Sequence, residues 1–136
     1  MVPTLNAVDH VHVYVANRES ATKWYEDVLG LCEVSELKFW SVGGGPLTIS
    51  NISGTIHLAL FERPAEKCHS TIALGASANE FLAWRNHLSR VFGHEIELVN
   101  HEVSWSIYFS DPDGNPFEIT SYEHSLILSQ LPLADG

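Results

Sequence analysis

The feature that most constrains this chain is a pattern of strands and helix that runs through it twice. Val8 to Val15 (V-D-H-V-H-V-Y-V) alternates, is rich in β-branched residues and predicts a strand. His10, His12 and Tyr14 share one face of it, and Val11, Val13 and Val15 the other. Ala21, Trp24, Tyr25, Val28 and Leu29 then recur at helical spacing, with Asn17 as N-cap and Gly30 as terminator. Strands are expected at Cys32–Glu36, Phe39–Val42 and Thr55–Phe61. Gly43-Gly-Gly-Pro46 is a turn or flexible loop rather than a phosphate cradle, because no helical pattern follows it. The second pass opens with a strand at His69–Ala76. Ser77-Ala-Asn-Glu80 has capping-box spacing, and Phe81, Trp84, Leu88 and Val91 form a helical stripe that ends at Gly93. Glu95–Glu102, Ser104–Phe109 and Phe117–Tyr122 read as strands, the last two separated by the turn Asp111-Pro-Asp-Gly-Asn-Pro116.

An offset of 61 residues lays Ile56-His57-Leu58 on Phe117-Glu118-Ile119, Phe61-Glu62 on Tyr122-Glu123, and Val11 and Val13 on Ile72 and Leu74, which puts His10 on Thr71. Repetition of this kind predicts an α+β fold of two βαβββ half-domains related by a pseudo-twofold, forming a curved mixed-sheet cleft. The 136 residues suit one domain, with the first half at about 6–66, the second at about 67–124 and a tail at 125–136. The tail is apolar at Leu126, Ile127, Leu128, Leu131 and Leu133, as a segment that packs on a neighbour would be.

Charge narrows the partners. With 17 acidic and 7 basic residues the net charge is −10, which disfavours nucleic acid and anionic membranes, since both need a basic face. No apolar run approaches the ~20 residues that span a bilayer. The opening MVPTLNAVDH lacks the basic flank and apolar core of a signal peptide. Cys32 and Cys68 form no CxxC pair and no disulfide framework, so a reducing cytoplasm is the expected compartment.

Eight histidines are the compositional oddity. A histidine or carboxylate on an otherwise apolar strand is costly unless partnered, and a metal ion is a common partner. Under a twofold repeat, positions 57 and 118 become equivalent, and His10 joins them from the first strand. His10, His57 and Glu118 are therefore the expected ligands, with His69 or Thr71 at the counterpart of the first strand. Imidazole and carboxylate donors suit Fe, Mn, Ni, Co or Zn better than calcium. His12 shares the face of His10 and reads as a neighbour of the ligands or a substrate contact. His87, His94, His101 and His124 read as structural or solvated.

With V-D-H-V-H-V-Y-V, the helix end W-Y-E-D-V-L-G-L at 24–31 and Y-F-S-D-P-D-G-N-P-F-E-I at 108–119, the chain resembles the vicinal-oxygen-chelate superfamily of glyoxalase, bleomycin-resistance and dioxygenase proteins, from Val8 to about Tyr122. The resemblance implies metal ligation by the histidine before the first apolar run, here His10, and by the glutamate after D-P-D-G-N, here Glu118. Glyoxalase-like members add a fourth-strand ligand, often glutamate, and that place is held by His57. Where the family carries a histidine directly before the I-A-L run, this chain has Thr71, and His69 is the candidate to replace it.

The resemblance further implies a metal that binds two neighbouring substrate oxygens and stabilises a developing anion, with Glu118 or His12 moving the proton. Tyr14 and Tyr122 are candidates to donate to a substrate oxygen, and Trp24, Phe39, Trp40 and Trp105 to line an apolar pocket. A glyoxalase-like lyase or isomerase is the first reading. An Fe(II) extradiol-type dioxygenase is the second and a thiol transferase acting on a phosphonate the third, the last disfavoured by the shortage of basic residues. A metal-free, bleomycin-resistance-like drug-binding protein is the non-enzymatic rival. A homodimer is expected, because open sheet edges are usually covered, and a second chain would then be able to complete the site.

Overall fold

A computed structural model describes residues 1–132 and groups the backbone into two compact units. The first comprises Met1–Cys68 with Pro112–Asn115, the second His69–Asp111 and the chain from Pro116 onward.

In the first unit, β1 (Val11–Val15) runs parallel to β4 (His57–Glu62), β3 (Leu47–Ser50) runs antiparallel to β4, and β2 (Cys32–Glu33) antiparallel to β3, giving the order β1-β4-β3-β2. The helix α1 (Arg18–Trp24) continues as a π-helical turn over Tyr25–Leu29. Its start is set by Asn17, whose side chain accepts the Ser20 N–H at 2.9 Å, and its end by Gly30, which takes φ 69°. Alternation then builds the core: Val13, Val15, Ile49, Leu58 and Leu60 are buried, as are Ala21, Tyr25, Val28 and Leu29 of the helical segment.

One expectation for this half is corrected. The segment predicted as a strand at Phe39–Val42 lies in a 3₁₀ helix over Ser35–Ser41. Arg18 explains why: its guanidinium donates to the carbonyls of Ser41 at 2.9 Å and Gly45 at 2.5 Å, drawing those backbone acceptors away from any ladder. The third strand is instead Leu47–Ser50, flanked by β2 and β4 and buried at all four positions. Burial on both faces removes the inside–outside alternation by which a strand is read from sequence.

The outer edge of β1 is closed by side chains. Asn115 Nδ2 donates to Tyr14 O at 2.8 Å, Asp113 Oδ1 accepts the Ala16 N–H at 3.1 Å, and Cys68 Sγ accepts the Tyr14 N–H at 3.4 Å. The Asp-Pro-Asp-Gly-Asn turn thus works as a cap on an edge strand, a role its turn chemistry alone does not announce. Asn115 is 2% exposed, so Asn115→Ala empties a buried position and leaves the Tyr14 carbonyl without this donor. Stability is expected to fall by about 1–3 kcal/mol in denaturant titration; an unchanged midpoint would show that the cap is dispensable. Cys32 and Cys68 are both free.

The second unit repeats the topology. β5 (Ile72–Gly75) is parallel to β8 (Pro116–Ser121), β7 (Trp105–Ser110) is antiparallel to β8, and β6 (Val99–Asn100) is antiparallel to β7, in the order β5-β8-β7-β6. The helix α2 (Ala78–Phe92) starts where expected, with Ser77 Oγ accepting the Glu80 N–H at 3.4 Å, and ends at Gly93 with φ 72°. Only Val99–Asn100 of the expected strand at Glu95–Glu102 pairs. The tail forms α3 (His124–Gln130), which lies against α2 with Ile127 fully buried in this unit's core, while Leu126 and Leu128 are exposed. Leu133 lies outside the described residues. No helix among the described residues is long and apolar enough to cross a membrane.

The fold is therefore α+β, built of two βαβββ half-domains, as the repeat predicts. One detail of the repeat is corrected. In the first sheet Leu58 pairs with Val11, 47 residues earlier, whereas in the second Phe117 pairs with Ile72, 45 residues earlier. No single offset relates both strand pairs. If His57 is matched to Glu118, the partner of Glu118 on β5 is Ala73, and Thr71 lies two residues before it. The two-residue difference accumulates between first and fourth strands of each half, where loop lengths differ and short apolar strands do not register them.

Candidate metal centre

The open face of the first sheet is where its chemistry gathers. Because Val13 and Val15 turn inward, His12 and Tyr14 point to the opposite face, and on β4 the burial of Leu58 and Leu60 likewise turns Ala59 and Phe61 outward. The ring of His12 lies 4.7 Å from that of Phe61, and Tyr14 meets Phe61 edge-on at 6.2 Å. Arg63 stacks its guanidinium over both Tyr14 and Phe61, at 5.5 and 5.3 Å.

Beside this aromatic group, a cavity of about 260 Å³ has Asp9, His10, Thr48 and His57 as its polar wall. Leu37, Trp40, Pro46 and Ala59 form the apolar wall. Trp40 and Leu37 come from the 3₁₀ segment that Arg18 ties down, and Thr48 faces Ala59 across the β3–β4 pair. The volume lies just below the usual range for drug-sized ligands, which matches a small substrate. Sequence reasoning placed His10, His57 and Trp40 as site residues, and they share this cavity. It missed Asp9, Thr48, Leu37 and Arg18. Only Asp9 left a signal, a carboxylate directly before a candidate ligand histidine.

Asp9 and His10 form the best-defined polar contact of the cavity. Asp9 Oδ2 accepts from His10 Nδ1 at 2.8 Å, and the hydrogen bond from His10 holds the Asp9 carboxyl below the ordinary carboxylate range. With the proton on Nδ1, His10 presents Nε2 as its free donor, and Nε2 lies 3.2 Å from His12 Nε2. A carboxylate behind an imidazole is the usual support of a metal-binding histidine. This donor chemistry fits a divalent ion.

In the second unit, Glu118 is half-buried on β8, opposite Tyr108 of β7 and Ala73 of β5. Ser106 Oγ donates to Glu118 Oε2 at 2.7 Å, while Thr120 Oγ1 donates to the Trp105 carbonyl at 3.2 Å. Ser106 Oγ also lies 3.2 Å from Thr120 Oγ1, and its shorter bond, to Glu118 Oε2, engages one carboxylate oxygen and leaves Oε1 for another partner. His69 is exposed and precedes β5, four residues before Ala73. Tyr122 is 78% exposed just past β8. Trp105 is core: it is buried, stacks on His124 at 5.3 Å and donates to its carbonyl.

The remaining histidines have local partners. His124 contacts Asn100 Oδ1 at 2.7 Å, His101 contacts Tyr108 Oη at 2.9 Å, His94 contacts the Glu95 carbonyl at 3.2 Å, and His87 meets Trp84 edge-on at 5.5 Å. Among the described residues no three His, Cys, Asp or Glu side chains stand together as a ready metal cluster.

The family model for the glyoxalase/bleomycin resistance protein/dioxygenase superfamily matches residues 7–119. The chain belongs to this superfamily. Solved structures of similar fold include an integron cassette protein from the mobile metagenome of the Halifax Harbour sewage outfall, with TM-score 0.71 and 19% identity over 86% of this chain and 99% of that one. The fosfomycin resistance protein FosX from Listeria monocytogenes gives TM-score 0.64 and 17% identity, over 91% and 99% of the two chains. A glyoxalase/dioxygenase from Nostoc punctiforme gives 0.62 and 19%, over 90% and 99%. At these identities the likeness is one of fold. No curated protein sequence matches the chain significantly. The superfamily match begins beside His10 and ends just past Glu118, so both motif ends that suggested ligands lie inside it.

Proposed function

We propose that the chain is a metal-dependent enzyme of the superfamily that binds a small substrate through vicinal oxygens, as a glyoxalase-like lyase or isomerase. The observation that carries this reading is the Asp9–His10 pair at 2.8 Å in the wall of a cavity that also holds His57. His10, His57 and Glu118 would hold the ion, and solvent or substrate oxygens would take the remaining places. His69, four residues before the β5 partner of Glu118, is the weakest of the sequence candidates. Fe, Mn, Ni, Co and Zn all accept such donors.

When bound, the ion supplies Lewis-acid stabilisation of charge developing on a substrate oxygen. The protein groups then divide the remaining work. Glu118, with Oε2 held by Ser106, would take a proton through Oε1 from a carbon next to the chelating oxygens once substrate displaces it as a ligand. His12, beside His10 on the open face, is the alternative base. Trp40 and Leu37 shield the cavity and restrict its occupant to a compact molecule. Tyr14 and Tyr122 are proposed as donors to substrate oxygens. Pairing as a homodimer fits the apolar side chains left exposed at Phe39, Val42 and Ile52, and sedimentation would read it directly.

The test combines metal and turnover. Chelator-stripped protein reloaded with Ni, Zn, Co, Mn or Fe(II) should take up about one ion per chain and turn over a 2-oxoaldehyde–thiol adduct. Glu118→Gln should keep the fold and lose most turnover, on the order of 100-fold or more for a lost general base. Uptake without that turnover, together with oxygen consumption on catechols under Fe(II), would replace the isomerase reading with the dioxygenase one. Absence of stoichiometric uptake would sink the metal-dependent reading.

A further inference from the structure

We infer that His12 is a metal ligand in its own right, and that His10 and His12 form a two-nitrogen chelate within the first half-domain. The inference rests on the reading of His10 as a ligand and is independent of Glu118 and His57.

Three observations carry it. The two residues stand at i and i+2 on β1, so their side chains leave the same face of one strand. Their Nε2 atoms face each other at 3.2 Å. Two nitrogens bound to one ion at ~2.1 Å, at angles between octahedral and tetrahedral, stand ~3.0–3.4 Å apart. The observed separation is what a shared ion requires, and with the rings stacked at 25° and 5.1 Å between centroids the two Nε2 atoms are closer together than the rings themselves. Finally, both rings are held in place. Asp9 fixes His10 through Nδ1, which leaves Nε2 to ligate, and Phe61 packs against His12 at 4.7 Å.

A direct N–H···N bond between the rings accounts for the distance equally well while no ion is bound, with His12 Nε2 carrying the proton. Binding would shift that proton to His12 Nδ1, the ring staying neutral, and leave Nε2 of both rings on the ion. Such a pair occupies adjacent coordination positions and leaves the others open. That is the arrangement needed by a ligand presenting two neighbouring oxygens. The role assigned to His12 thereby shifts from moving protons to holding the ion.

Isothermal titration of the full chain with Zn(II) or Co(II), alone, tests this together with the ¹⁵N imidazole spectrum of the wild-type protein. One ion per chain should displace the Nε2 resonances of both His10 and His12, and His12→Ala should weaken binding about 10-fold or more. His12 is exposed, so the variant should melt at the wild-type temperature, and the imidazole spectrum needs no variant at all. An unmoved His12 Nε2 signal, or affinity within about twofold in His12→Ala, overturns the inference. If Glu118→Ala still weakens binding in that case, the proposed function survives without it. No uptake by the wild-type protein overturns both.

Discussion

Phe117→Ala is expected to destabilise the protein by about 3–5 kcal/mol. Phe117 is 1% exposed, stacks on Phe109 at 5.5 Å with a 14° interplanar angle, and pairs with Ile72 in the parallel β5–β8 ladder. Truncation removes a large apolar surface and leaves a void among strands that hydrogen-bonding holds in register, so the walls have little freedom to collapse. The same strand carries Glu118 as the next residue, so the change should also blur the position of the carboxylate. Equilibrium unfolding in guanidinium reads the loss. Phe39→Ala, at a position 64% exposed, is the matched control and should stay within about 0.5 kcal/mol. A Phe117→Ala loss below about 1 kcal/mol would mean that the second sheet repacks around the gap.

His10→Ala is expected to have the largest effect on metal. His10 belongs to the proposed ligand set and to the His10–His12 chelate alike, so its loss removes a donor under either. The affinity for Zn(II) or Co(II) should drop by more than the ~10–100-fold typical of losing a supporting hydrogen-bond partner. Asp9→Asn supplies that lesser case: the amide still accepts from Nδ1–H, without the charge. Asp9 is 92% exposed, so its effect should sit at the low end, near ~10-fold. The order His10→Ala, then Asp9→Asn, then wild type is the checkable result by titration calorimetry. If Asp9→Asn equals or exceeds His10→Ala, the ion is held by the carboxylate and the ligand assignment is wrong.

The parts of the fold legible in sequence were those whose signals are local. Asn17, Gly30, Ser77 and Gly93 each act on the turn of helix next to them, and all four do so in the structure. The strands β1 and β8 alternate between a more buried face and a half-buried or exposed one, and were readable from that alternation. β3 was not, since burial at all four of its positions leaves nothing to alternate. Phe39–Val42 misled because β-propensity describes a residue's fit to a pleated surface, and here Arg18 binds the carbonyl of Ser41 and that of Gly45 beyond it.

The site divides in the same way. His10 and Glu118 stood out because each is a donor on a half-apolar strand inside a recognisable motif, and the superfamily match spans both. Arg18 and Thr48 were invisible, because they act through the 3₁₀ segment and a cross-strand pair that exist only once the chain is folded.

The sequence by itself determined the twice-run βαβββ order and which face of β1 carries histidine, since strand period and capping depend on neighbours a few residues away. Tertiary structure alone decided the registers, 47 residues between Val11 and Leu58 but 45 between Ile72 and Phe117. It alone decided that Glu118 looks across at Ala73 and that His12 turns its Nε2 toward His10. Pairing between strands is settled by loop length and side-chain packing across the sheet, and neither is written into the alternation of any one strand.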